Sequence, residues 1–80
     1  MNYTTSYDSP KMAVDRALTI AQRDAERAYG DLTDYRIELS LEPDGWKIDY
    51  LLKRKGWVGG GPHYLIDAYS GDIISKRYEQ

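Results

Sequence analysis

The sequence predicts an α+β domain: one N-terminal helix packed on a four-stranded antiparallel meander sheet. Three observations carry that expectation. One stretch, Pro10 to Tyr29, repeats its apolar residues at helical spacing. Two alternating stretches flank a Pro-Asp-Gly turn at Glu42 to Gly45. A second pair of short apolar stretches flanks Asp67 to Gly71. A helix with one apolar stripe and a sheet with one apolar face must bury them against each other.

Eighty residues make one domain. Residues 1–8 are polar and aperiodic and read as a flexible tail, leaving 9–80 as the folded unit. A chain this size buries roughly 60% of its unfolded surface, so its core is thin. There are eight Tyr, two Trp and no Phe. Tyr and Trp suit half-wet positions, which fits a thin core and also fits a binding face.

The helix starts at Ser9-Pro10, with Ser9 as N-cap and Pro10 at the first helical position, where its missing N–H costs nothing. Val14, Ala17, Leu18, Ala21, Ala25, Ala28 and Tyr29 form the buried stripe. Asp15, Arg16, Thr19, Gln22, Arg23, Glu26 and Arg27 fall mostly opposite. A stripe so rich in alanine lets the helix axis sit close to a sheet, and the strands then supply the bulk. Gly30 is the expected C-cap.

Tyr35 to Leu41 places Tyr35, Ile37, Leu39 and Leu41 on one face, against Arg36, Glu38 and Ser40. The following strand places Trp46, Ile48, Tyr50 and Leu52 against Lys47, Asp49, Leu51 and Lys53. Pro43, Asp44 and Gly45 supply the turn between them. The apolar faces belong against the helix, so Leu18, Ile37, Leu39, Trp46, Ile48 and Tyr50 are the expected core.

Lys53-Arg54-Lys55-Gly56-Trp57-Val58 could in principle grip phosphate and stack a base. No basic stripe extends it and the net charge is −2, so a solvated strand end is the better reading and nucleic acid is not an expected partner. Gly59-Gly60-Gly61-Pro62 lacks the following helix and the Lys-Ser or Lys-Thr of a phosphate loop. A bulge, a flexible connection or a close backbone approach explains it. His63 to Ala68 and Asp72 to Tyr78 read as strands, with Asp67 accepting backbone N–H groups in the turn. Which side of this last hairpin is buried stays open, because both sides carry apolar residues.

The chain has no cysteine and one histidine. No metal site, cofactor or catalytic constellation is expected. Ser70, His63 and Asp67 fall in one hairpin without a nucleophile elbow or an oxyanion loop. No apolar run approaches the roughly 20 residues of a membrane helix. Met1 to Ser6 has no basic or apolar leader segment. With the missing cysteines, this makes a cytoplasmic location the expectation. Composition and pattern go no further than a small soluble binding domain.

Three motifs then carry a resemblance: Gly45-Trp46-x-Ile48-x-Tyr50, Gly59-Gly60-Gly61-Pro62, and Ile66-Asp67-x-x-x-Gly71-x-Ile73-Ile74. Together they resemble small bacterial immunity proteins, both those with the cystatin-like fold shared with nuclear transport factor and the YrhB-type group. The likeness covers Gly45 to Tyr78; the helix fits only in kind. It implies a non-enzymatic protein that neutralises a cognate toxin by stoichiometric binding. The Ile-Asp-x-x-x-Gly-x-Ile turn is also similar to PepSY domains, which implies a peptidase-associated or inhibitory module instead. The expected contact region is the segment Lys53 to His63, with Lys53, Arg54, Lys55, Trp57 and His63 as contact residues. Trp57 is either its anchor or a cap folded back on the core.

Overall fold

The computed structural model describes residues 13–53 and 60–79. The order is α1 (Val14–Tyr29), β1 (Tyr35–Glu42), β2 (Gly45–Leu52), β3 (Gly60–Ile66) and β4 (Ile73–Arg77). The four strands form one antiparallel sheet in the order β1-β2-β3-β4, and α1 lies over β2 and β3. This is the predicted α+β arrangement.

Helix α1 begins four residues later than expected. Ala13 is extended, with φ −66° and ψ 150°, and caps the helix with no side-chain hydrogen bond. Its carbonyl accepts from the N–H groups of Arg16 and Ala17. Ser9 and Pro10, the expected start signal, lie outside the described residues, as does the tail 1–8. Gly30 ends the helix as expected, its N–H donating to Glu26 O at 2.8 Å. The alanine stripe does what its small side chains allow. Ala17, Ala21 and Ala25 are fully buried, and Ile48, Tyr50, Tyr64 and Ile66 from β2 and β3 fill the space beneath them.

The core is narrower than the alternation implied. Ile48 and Tyr50 are buried as expected, while Leu18 and Trp46 are only partly so. Ile37 and Leu39, also expected in the core, are 46% and 40% exposed, and Leu41 is 50% exposed. The cause is placement. One helix covers about two strands, and α1 sits over β2 and β3, so the apolar row of β1 lies beyond its edge. Val14, at the start of the stripe, is also exposed.

The β1–β2 hairpin closes at Pro43-Asp44, with Glu42 opposite Gly45. Gly45 has φ 152°, and a Cβ there would stand 2.2 Å from Ile66 O. Only glycine allows β3 to pass so close.

Of the glycine run, Gly60 and Gly61 are in a strand, and Gly59 lies outside the described residues. Gly60, Gly61 and Pro62 open β3 and are buried. Pairing runs Asp49 to His63 and Leu51 to Gly60, so Gly61 and Pro62 together oppose the single Tyr50. That is a β-bulge, the one setting in which proline fits a central strand. A Cβ on Gly61 would meet the Tyr35 ring at 2.8 Å. The bulge and the close approach, two of the three sequence readings, therefore hold together.

The last hairpin turns as expected at Asp67. Its Oδ1 accepts from the N–H groups of Tyr69 and Ser70 at 2.8 and 2.9 Å. These two donors hold its carboxyl below the ordinary range. The open question of facing is settled: Tyr64 and Ile66 are buried on the helix side, while His63 and Leu65 alternate to the other.

Candidate functional site

Among the described residues one helix covers the sheet, which leaves its other face bare. Here the bare face is built by the residues that alternate away from α1: Lys47, Asp49 and Leu51 on β2, His63 and Leu65 on β3, and Ser75 and Arg77 on β4. They line an open groove of about 850 Å³.

The groove is crossed by a row of ionisable side chains. Asp49 and His63 are register partners on β2 and β3, which puts their side chains side by side. His63 Nδ1 lies 2.7 Å from Asp49 Oδ1. Lys47 donates to Asp49 Oδ2 at 3.1 Å. On the other side, His63 Nε2 stands 3.2 Å from Glu79 Oε2, off the line a hydrogen bond requires. Arg77 donates to the same Glu79 oxygen at 2.9 Å. The order Lys47–Asp49–His63–Glu79–Arg77 is a row of ionisable side chains across three strands and the chain just after them.

The middle of this row is sheltered. The side chains of His63 and Asp49 are 17% and 15% exposed, whereas Lys47 and Arg77 stand out in solvent. Burial pushes the Asp49 carboxyl up, but hydrogen bonds from His63 and Lys47 outweigh it and hold it below the ordinary range. Asp49 is therefore a carboxylate at neutral pH, and the Nδ1 proton belongs to the shared bond. One nitrogen of the ring is held by Asp49, and the other is buried without a hydrogen-bond partner. Leu51 and Leu65 add half-buried apolar ground between the charges. Chemically, this is a pre-organised surface of donors, acceptors and two leucines.

The structure does not assemble the Ser-His-Asp grouping that the sequence allowed only by assertion. His63 pairs with Asp49, not with Asp67. Asp67 and Ser70 are both engaged in their own turn, where Ser70 Oγ accepts from the Asp72 N–H. Among the described residues, no group of three or more His, Asp or Glu side chains could hold a metal ion. No helix among them is long and apolar enough to cross a membrane.

Of the expected contact residues, His63 lies in the groove, on strand β3 rather than on a loop. Lys53 is exposed at the end of β2, and its N–H donates to Asp34 O at 2.8 Å. Arg54, Lys55 and Trp57 lie outside the described residues. The expected contact loop is thus shorter than Lys53 to His63, because the chain is already a strand from Gly60 onward.

A second polar cluster escaped the sequence reading. Asp24 is 4% exposed in the middle of the alanine stripe. It accepts from Tyr64 at 2.8 Å, Tyr78 at 2.5 Å and Lys76 at 3.2 Å, with Arg27 at 3.1 Å from its own helix. Burial alone would raise its carboxyl, but the hydrogen bonds from Tyr78, Tyr64 and Lys76 lower it to about 2. Burial and the Asp24 carboxylate both push the Tyr64 phenol well up. Asp24 thus ties α1 to β3, β4 and the chain just after β4. The signal was present: Asp24 follows Ala17 and Ala21 at helical spacing, seven and three residues on, and so shares their face.

In comparisons with known proteins, no family model matches the chain, nor does any curated protein or solved structure.

Proposed function

We propose that this chain is a binding protein of the immunity type, which neutralises a protein toxin by stoichiometric contact. The contact surface is the bare sheet face around Asp49 and His63, flanked by the segment that joins β2 to β3 with Arg54, Lys55 and Trp57. One observation carries the reading. The face holds an ordered row of ionisable side chains on three paired strands, with its central Asp49–His63 pair largely sheltered from solvent. Pre-organised charge of this kind gives specificity and fast association at modest entropic cost. An open groove of this shape suits another protein's surface better than a small substrate, which favours enclosed pockets.

The immunity resemblance adds the partner class. The Trp46 strand, the glycine run and the Asp67 turn are the stretches that carry it. The PepSY resemblance rests on the Asp67 turn and on a helix packed against a short antiparallel sheet, and does not extend to the Trp46 strand or the glycine run.

The test is capture followed by neutralisation. The tagged chain is used to recover a partner from cells that encode it, and the partner is expressed alone. The expected result is a protein that stops growth by itself and is silenced by one equivalent of this chain. His63→Ala and Lys47→Glu should both lose it. A partner that is a peptidase, or one retained equally by both variants, would sink the proposal.

A further inference from the structure

The two edges of the sheet are built differently. Edge strand β4 is short, five residues, and its register with β3 is broken between Leu65 and Ile66. It also carries Lys76 and Arg77. Such features keep an edge from pairing. Edge strand β1 has neither the shortness nor the broken register, and its charged residues Arg36, Glu38 and Glu42 include no lysine. It is eight residues long, regular throughout its pairing with β2, and contains no lysine, proline or glycine. Among the described residues it has one neighbour strand.

The hydrogen-bond pattern shows which groups point outward. Lys53 N–H donates to the carbonyl of Asp34, and these two residues lie one step beyond the Tyr35–Leu52 pair that opens the β1–β2 register. Antiparallel pairs alternate between bonded and non-bonded. Arg36, Glu38, Ser40 and Glu42 therefore turn their backbone groups to β2, and Ile37, Leu39 and Leu41 turn theirs to the open edge. The same three residues carry the exposed apolar side chains. Free backbone groups and exposed apolar side chains thus coincide along one strand.

We infer that β1 pairs antiparallel with β1 of a second copy of this chain, with Leu39 on the twofold axis. The sequence of β1 selects that register. Directly opposed residues in an antiparallel pair share a face. Residue numbers must therefore sum to an even value, or each apolar side chain would face a polar one. A sum of 76 sets Glu38 against Glu38, and a sum of 80 sets Glu38 against Glu42; both oppose like charges. A sum of 74 pairs Arg36 with Glu38 but engages only five residues of the strand. A sum of 78 sets Arg36 against Glu42, Glu38 against Ser40, Ile37 against Leu41 and Leu39 against itself. It pairs opposite charges twice and keeps seven residues in register.

In the monomer Arg36 bonds Glu38 at 2.6 Å and Ser40 bonds Glu42 at 2.8 Å, all exposed. These side chains already lie along the strand where the second copy would meet them. The pairing joins two four-stranded sheets into one. Both helices fall on the same side, the apolar rows of the two β1 strands meet between them, and both bare faces lie on the other. The dimer engages Glu38 and Glu42 at the β1 rim of the groove and leaves Asp49 and His63 uncovered, and the inference stands independently of the toxin-binding reading.

The experiment is sedimentation of the full chain over a concentration series reaching about 100 µM, combined with amide hydrogen exchange at each end of it. The parent should shift toward twice the 9.2 kDa chain mass. Amides of Ile37, Leu39 and Leu41 should gain protection with concentration, while those of Glu38 and Ser40 stay protected throughout. Leu39→Lys should stay folded and weaken association at least tenfold. Arg36→Glu alone should also weaken it, and Arg36→Glu combined with Glu42→Arg should restore it, because the swap re-forms the cross-strand pair. A parent that stays monomeric overturns the inference. So does a double swap as weak as the single change, or protection of Ile37, Leu39 and Leu41 already complete in the monomer.

Discussion

At the residue scale, the largest departure from pattern is Asp24, a carboxylate in a stripe of alanines. A buried charge survives only when its partners replace the lost water. Here two phenols and two cations do so. The carboxyl is lowered from 3.8 to about 2 in the folded chain. Its contribution is therefore fully present above the unfolded value and lost as pH falls through the folded one. The shift corresponds to on the order of 2 kcal/mol at neutral pH. Asp24→Asn should lower stability by about that amount near pH 7, and the gap between variant and parent should close as pH falls from about 4 to 2. Urea melts of both proteins across that range check it. A gap that persists at pH 2 would mean that amide geometry, not charge, is responsible. The sequence held the position of Asp24 but not its partners. Tyr64 and Lys76 are 40 and 52 residues away, and no local pattern reports contacts at that distance.

At the element scale, both hairpins were legible, because turn chemistry is local. Pro43, Asp44 and Gly45 specify one turn and Asp67 the other, and strand alternation did the rest. What was not legible is what lies across from each strand. The glycine run looks like slack in one dimension. In three dimensions Gly61 is where the Tyr35 ring lies and Gly45 is where β3 passes. Two glycines with positive φ separate these effects. At Gly30 a Cβ meets nothing within 4 Å, whereas at Gly45 it meets the Ile66 carbonyl. Gly30→Ala should cost only backbone strain, about 1–3 kcal/mol. Gly45→Ala adds overpacking against backbone that cannot move aside, for roughly 2–6 kcal/mol in all. Thermal melts should find Gly30→Ala folded with a lowered Tm, and Gly45→Ala largely unfolded at room temperature. Equal losses at the two sites would show that the close pass of β3 can relax.

At the scale of the whole molecule, one helix on four strands divides the surface unequally. The face under α1 holds the stability, and Ile48 is fully buried at its centre. The row Ile37, Leu39 and Leu41 has the same apolar pattern as the core strand beside it, so alternation alone could not separate covered residues from uncovered ones. Only the width of a single helix does that. The opposite face carries the ordered charges of the groove and, between them, Leu51 and Leu65. If that face is a binding surface, stability and binding should separate cleanly between two truncations. Ile48→Ala removes packing beneath the helix and should cost about 2–5 kcal/mol of stability, a large share of what so small a domain has. Leu65→Ala, half-buried on the bare face, removes little internal packing and should cost under about 1 kcal/mol. As apolar ground beside the sheltered Asp49–His63 hydrogen bond, Leu65 is placed as interface centres are. Its loss should therefore weaken the captured partner by about 2 kcal/mol, roughly thirtyfold. Denaturant melts and calorimetric titration of both variants read the two effects separately. A Leu65→Ala variant that melts like the parent and also binds like it would move the interface off this face, toward the segment that carries Trp57.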